Sequence, residues 1–163
     1  MVHERTTAGM RVDRTRVTFA LGSCDLIQWE QRVPNLQNSK GGDLYLYPGF
    51  ILYRAAKEAF SVLDYHDVNS KGALIQFHER EGVPGDSKVV GQTWAKANKD
   101  GSRDRRFADN FQIPIALYGE IAFKSENGLW EEFQLSNPDR LQQFLKSLNA
   151  FVTSFESAKS ATA

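Results

Sequence analysis

Apolar and polar residues alternate along much of this chain, and the alternation predicts strands. R-V-T-F-A-L (Arg16 to Leu21) sends successive side chains to opposite faces, as a half-buried strand does. Gly22 and Ser23 interrupt it. Ser23 stands where an N-cap would open a short helix over Asp25 to Arg32, with Leu26, Ile27 and Trp29 apolar and Pro34 near the exit. Asn35 to Gly42 reads as loop. From Asp43 the sequence L-Y-L-Y, Pro48-Gly49, F-I-L-Y predicts a hairpin or a sharply bent strand. Phe60 to Tyr65, Ala73 to His78, Lys88 to Trp94, Gln112 to Phe123 and Leu129 to Leu135 continue the series. The last two are joined by S-E-N-G, whose Asn127-Gly128 is a strong hairpin signal.

The period then changes. Leu141, Phe144, Leu145, Leu148, Phe151, Val152 and Phe155 recur at i, i+3, i+4 and i+7, behind Asn137 as N-cap, Pro138 at the first helical position and Asp139 at the positive end of the dipole. This predicts an amphipathic helix over 138–156. At about 1.5–3 kcal/mol per large apolar side chain, such a stripe has to be covered, most economically by the preceding sheet. The fold class expected is α+β, mainly β: about seven antiparallel strands in a bent sandwich or partly open barrel, closed by the C-terminal helix.

At 163 residues, with 41% hydrophobic residues and eleven Phe, the chain suits one compact domain with its own core. The expected organisation is a flexible lead-in (1–15), a single domain (16–156) with an extra strand and helix at its start (16–33), and a flexible tail (157–163). Cys24 is the one cysteine, which removes intramolecular disulfides and cysteine-based metal cages and points to a reducing cytoplasm. No apolar run approaches the roughly 18 residues of a membrane span, and the first residues carry no signal-peptide core.

The segment G-D-L-Y-L-Y-P-G-F-I-L-Y-R (Gly42 to Arg54) and the exit L-S-N-P-D-R-L-Q-Q-F-L-K-S-L (Leu135 to Leu148) make the chain from Gly42 onward resemble bacterial pleckstrin-homology-like domains of the PH and GRAM type. The resemblance implies two bent antiparallel sheets plugged by a final helix. It also implies a binding role, which in that superfold ranges over lipid, phosphopeptide, proline-rich peptide and protein ligands.

Charge singles out one segment. Lys+Arg and Asp+Glu both number 20, so the chain has no net charge. Yet between Lys88 and Arg106 six cations face only Asp100 and Asp104, a local excess of +4. Asn98, Asp100 and Gly101 carry turn chemistry, predicting an extended hairpin with Lys88 to Lys96 and Phe107 onward as arms and N-K-D-G at the tip. Arginine offers planar, bidentate donors for phosphate or carboxylate, and flanking Trp94 and Phe107 supply stacking surfaces. The expected binding residues are Trp94, Lys96, Lys99, Arg103, Arg105 and Arg106. The bland alternative is a solvated hairpin whose arginines pair with Asp104, Asp109 and the Glu131-Glu132 run.

Other clusters carry less. Asp64, His66 and Asp67 put at most two groups on one strand face, too few for a metal site. His78-Glu79 does not extend to the zinc motif H-E-x-x-H, Glu131 and Glu132 point to opposite faces with an outward carboxylate expected, and Cys24 reads as a buried thiol. No phosphate loop or nucleophile elbow is present in the sequence. The function expected is therefore a non-enzymatic binding or scaffolding module, without cofactor or metal. Its partner is a protein or an anionic ligand, a phospholipid headgroup included; neutral net charge disfavours nucleic acid. Two alternatives stand beside it. One is a phosphoester- or nucleic-acid-processing enzyme using Arg105 or Arg106 with His66 or His78 as base. The other is a structural subunit docking through Leu26, Ile27 and Trp29. The oligomeric state is left open.

Overall fold

In a computed structural model, residues 2–5, 15–39, 41–56 and 59–161 are described. Among them ten strands precede one helix: β1 (Val2–Arg5), β2 (Phe19–Gly22), β3 (Val33–Leu36), β4 (Asp43–Tyr47), β5 (Phe50–Arg54), β6 (Phe60–Leu63), β7 (Val68–His78), β8 (Lys88–Trp94), β9 (Gln112–Ser125), β10 (Trp130–Leu135) and α1 (Pro138–Ala161). The chain is mainly β, with ten strands in place of about seven. One sheet has the order β2-β3-β4-β5-β6; the other runs β1-β7-β9-β10 with β8 also on β9, and neither closes on itself into a barrel. The chain divides into two compact units, one built on 71–121 and 132–146 with β1, the other on 15–70, 122–131 and 147–161.

In the second of these units, β4 is buried along both faces. Tyr45, Tyr47 and Leu52 share a core with Cys24 and Val33, with Ile27 and Phe50 packed against it. The alternate residues Leu44, Leu46 and Ile51 are buried as well. Antiparallel strands usually leave one face wet, and the 23–33 segment is what removes that option here. The predicted Pro48-Gly49 turn joins Tyr47 to its partner Phe50, with Gly49 at φ 87°, a conformation that favours glycine.

The helix expected over Asp25 to Arg32 does not form. The backbone makes a turn, Ile27 N–H donating to the Cys24 carbonyl at 3.1 Å, and passes into β3, where loop was expected. Leu26, Ile27 and Trp29 do not space out into a helical stripe, and an eight-residue helix is marginal without one. Pro34 is accommodated in β3 because only Asn35 and Leu36 are matched to β4. At the start of the chain β1 pairs parallel with β7, Val2 opposite Leu74, where a lead-in was expected; the rest of that lead-in lies outside the described residues.

In the first unit, α1 begins as its sequence predicts. Asn137 Oδ1 accepts the N–H groups of Asp139 and Arg140 at 3.1 and 3.2 Å, and Leu141 is buried at 1% exposure. Beneath it the sheet is shaved down to glycine. A Cβ at Gly119 would lie 2.7 Å from that of Leu141, and one at Gly72 would collide with Leu145. In the second unit Leu148 is buried and Phe151 meets Tyr65 edge to face at 5.9 Å. The positions between, such as Gln142, Gln143, Lys146 and Ser147, are exposed. α1 continues to Ala161, beyond the predicted 156, because Ser157 to Ala161 contains neither Gly nor Pro to stop it.

Candidate functional site

The basic segment belongs to the first unit and is a folded loop set on a hairpin. β8 and β9 pair antiparallel from Lys88 opposite Leu117 to Trp94 opposite Gln112, with a bulge between Val89 and Gly91. Ala95 N–H extends the ladder to the Phe111 carbonyl at 2.8 Å. The second arm thus starts at Gln112, not at Phe107. Residues 96–110 between the arms form a smaller hairpin of their own. Ala97 bridges Arg103, Asn98 N–H donates to the Ser102 carbonyl at 2.9 Å, and Gly101 at φ 82° turns the tip. The N-K-D-G tip is where the sequence placed it.

Two buried polar residues hold this loop. Asn110, 7% exposed, accepts Lys96 N–H at 2.9 Å and donates its amide to the carbonyls of Lys96 and Asp104 at 2.6 and 3.2 Å. Its side chain acts as a surrogate backbone beside the direct bond from Asp104 N–H to the Lys96 carbonyl at 3.1 Å. Asp104, 6% exposed, accepts the backbone N–H of Arg106 at 3.0 Å and its guanidinium at 3.0 Å (Nε) and 2.7 Å (Nη2). The Arg106 bonds, side chain first, hold the Asp104 carboxyl below the ordinary carboxylate range, and Asp104 raises Arg106 in return. At the tip Asp100 is lowered by the hydroxyl and N–H of Ser102.

The six predicted binding residues come together on this one loop, in different states. Arg106 is neutralised by Asp104. Arg103 lies over the Trp94 ring, Cζ 5.2 Å from its centroid, and donates to the Ala108 carbonyl at 3.0 Å. Lys96 lies over Phe107 at 5.5 Å. Lys99 and Arg105 are exposed and have no side-chain partner among the described residues. Phe107 and Phe111 are 45% and 60% exposed. The result is a surface of two cation–aromatic pairs beside two uncommitted cations. The bland reading is right for Arg106 and wrong for the Glu131-Glu132 run. Glu131 is turned inward in the other unit, where it accepts Asn38 Nδ2, Gly42 N–H and the Tyr53 hydroxyl.

The Asp104–Arg106 contact makes a titration testable. Because the folded carboxyl pKa is depressed, the contact's stabilisation is fully present above the ordinary carboxyl pKa of about 4 and is lost as pH falls through the depressed value. Arg106→Ala is expected to move the Asp104 midpoint up toward the ordinary value, read by carboxyl NMR; an unmoved midpoint contradicts the assignment.

The remaining clusters resolve as local structure. Asp64 Oδ1 accepts His66 N–H at 3.0 Å and caps a single 3₁₀ turn over Tyr65–Asp67, so Asp64 and His66 do not share a strand face as the sequence suggested. Glu79 is 2% exposed and accepts the Tyr118 hydroxyl at 3.0 Å. Cys24 is buried, with Arg54 Nη1 3.6 Å from its sulfur. Leu26 and Trp29 are exposed at 38% and 42%, whereas Ile27 packs inward. No group of three or more His, Cys, Asp or Glu able to hold a metal occurs among the described residues, and no helix among them is long and apolar enough to cross a membrane. No family model, curated protein or solved structure matches the chain.

Proposed function

We propose that this chain is a pleckstrin-homology-like binding module that docks an acidic protein partner through the 94–111 loop. The observation that carries this reading is the juxtaposition on one internally bonded loop of Trp94/Arg103, Lys96/Phe107, Lys99 and Arg105. A loop that satisfies its own backbone through Asn110 and Asp104 does not need a partner in order to fold. Its exposed groups are therefore preorganised, which lowers the entropy lost on docking. Exposed aromatic rings beside cations suit a protein surface that carries both carboxylates and apolar side chains, since aromatic and arginine anchors dominate such contacts. An order of antiparallel strands ending in a capped helix supports the family reading.

Internal pairing also selects the variant. Reversing Arg103 or Arg106 would disturb the loop itself, so the informative pair is Lys99→Glu with Arg105→Glu. Affinity capture from the native host with the wild-type chain is expected to retain a protein that the double variant loses, with the melting temperature within about 2 °C, as for surface substitutions. An identical set of captured proteins from both baits contradicts the proposal.

A further inference from the structure

A second site lies within the other unit, and nothing in the docking reading requires it. A cavity of about 250 Å³ opens beside α1. Its walls are Ile51, Tyr65, Val68, Phe123, Leu148 and Val152. Phe123, Ile51 and Leu148 are 0%, 1% and 6% exposed, so the cavity reaches the core. Ser70, Asn149 and Thr153 complete the lining, with Asn149 and Thr153 exposed, so the mouth lies on their side. Folded interiors keep few voids larger than a water molecule, and a dry apolar cavity of roughly 150 Å³ is enough to take benzene. Here the volume scales to about ten non-hydrogen atoms on that basis.

The lining also defines the chemistry. None of its residues is charged, so a charged ligand would lose its hydration without compensation. The Tyr65 hydroxyl is committed to the Tyr47 carbonyl at 2.9 Å, and burial pushes its pKa upward, which leaves a neutral ring as wall. Polar capacity is confined to the mouth: Ser70 Oγ and the Asn149 side-chain amide have no partner among the described residues, and Thr153 Oγ1 donates to the Asn149 carbonyl at 2.9 Å. We infer that this cavity binds a small neutral molecule with an aromatic or compact aliphatic body and one hydrogen-bonding group held at Ser70 and Asn149.

Indole, a flat neutral ring system with one N–H donor, is the probe. Titrated into the ¹⁵N-labelled chain, it is expected to give saturable shifts centred on Val68, Ser70, Asn149 and Val152 and to raise the melting temperature. Indole-3-acetate, its anionic relative, is expected to bind at least about tenfold more weakly, since the lining offers no counter-charge. Ser70→Ala is expected to weaken indole about two- to tenfold, the equivalent of one net hydrogen bond. Val152→Phe, which fills the space, is expected to abolish saturation. Shifts that stay linear in indole, equal binding of the two probes, or undiminished binding to Val152→Phe would each overturn the inference. The comparison of the two probes uses the unaltered chain, so it decides the matter even if Val152→Phe fails to fold.

Discussion

Leu141→Ala is expected to lower stability by about 2–5 kcal/mol, the range for deleting a fully buried leucine side chain. Leu141 is 1% exposed and sits directly over Gly119, whose missing side chain leaves the sheet surface flat at that point. Collapse into the space left behind would need β9 itself to move, because a glycine has no side chain to swing in. The cavity term should therefore be near the upper part of the range. At about 2–4 °C per kcal/mol for a chain of this size, the melting temperature should fall by on the order of 10 °C. The converse substitution, Gly119→Val, drives a side chain into Leu141 and should be destabilising too. If Leu141→Ala melts within about 2 °C of wild type, the apolar stripe of α1 is not what secures that unit.

The second large effect is expected at Glu131. This carboxylate, 5% exposed, accepts three donors from three places: Asn38 Nδ2, Gly42 N–H at 3.1 Å and the Tyr53 hydroxyl at 2.9 Å. The fit around it is close, since a Cβ at Gly41 would collide with both its oxygens and one at Gly42 with the Tyr53 ring. Tyr53 is held above its usual pKa by burial first and by its bond to Glu131 second, so it remains a donor across the working range. Glu131→Ala strands all three donors and should cost about 2–4 kcal/mol, because each buried unsatisfied group costs about 1–3 kcal/mol and part of the loss is recovered by water entering. Faster hydrogen exchange at the Gly42 amide should accompany it. Glu131→Gln keeps one acceptor oxygen and should fall between. A Glu131→Ala chain with wild-type stability and an unchanged Gly42 amide contradicts the clasp.

These two residues also mark how far the sequence is legible. The stripe from Leu141 to Phe155 is a local repeat, and the helix cap and burial pattern follow it residue by residue. The turns at Pro48-Gly49 and Asn127-Gly128 are equally local, since their glycines adopt positive φ wherever the rest of the chain lies. Strand alternation says that one of the two adjacent carboxylates Glu131 and Glu132 faces water, and Glu132 is the exposed one. Alternation cannot say that the inward one meets donors from residues 38, 42 and 53. The segment 25–32 departs from its expected helix for a related reason: Ser23 is a competent cap, but Ile27 packs into the Tyr47 core and Trp29 meets Tyr47 edge-on at 6.3 Å.

The basic loop stands out by its charge, and the state of each cation on it does not follow from the sequence. Six cations against two carboxylates stand out in a neutral chain, and the tip was marked by its turn residues. What sets each cation's availability is nonlocal in a way that charge counting misses. Asn110, fourteen residues from Lys96, decides the loop's shape by bonding to Lys96 and Asp104, and Asp104 then withdraws Arg106. A side-chain amide just before a strand, next to exposed Phe111, was the available signal for such an anchor.

The central claim is that docking uses the 94–111 loop. The most direct measurement is hydrogen exchange by mass spectrometry on the chain alone and on the complex that affinity capture recovers. The account predicts that protection gained on binding is concentrated in peptides spanning Trp94 to Phe111, with the 96–110 amides already partly protected in the free chain. Protection gained elsewhere, with none over that loop, would contradict it.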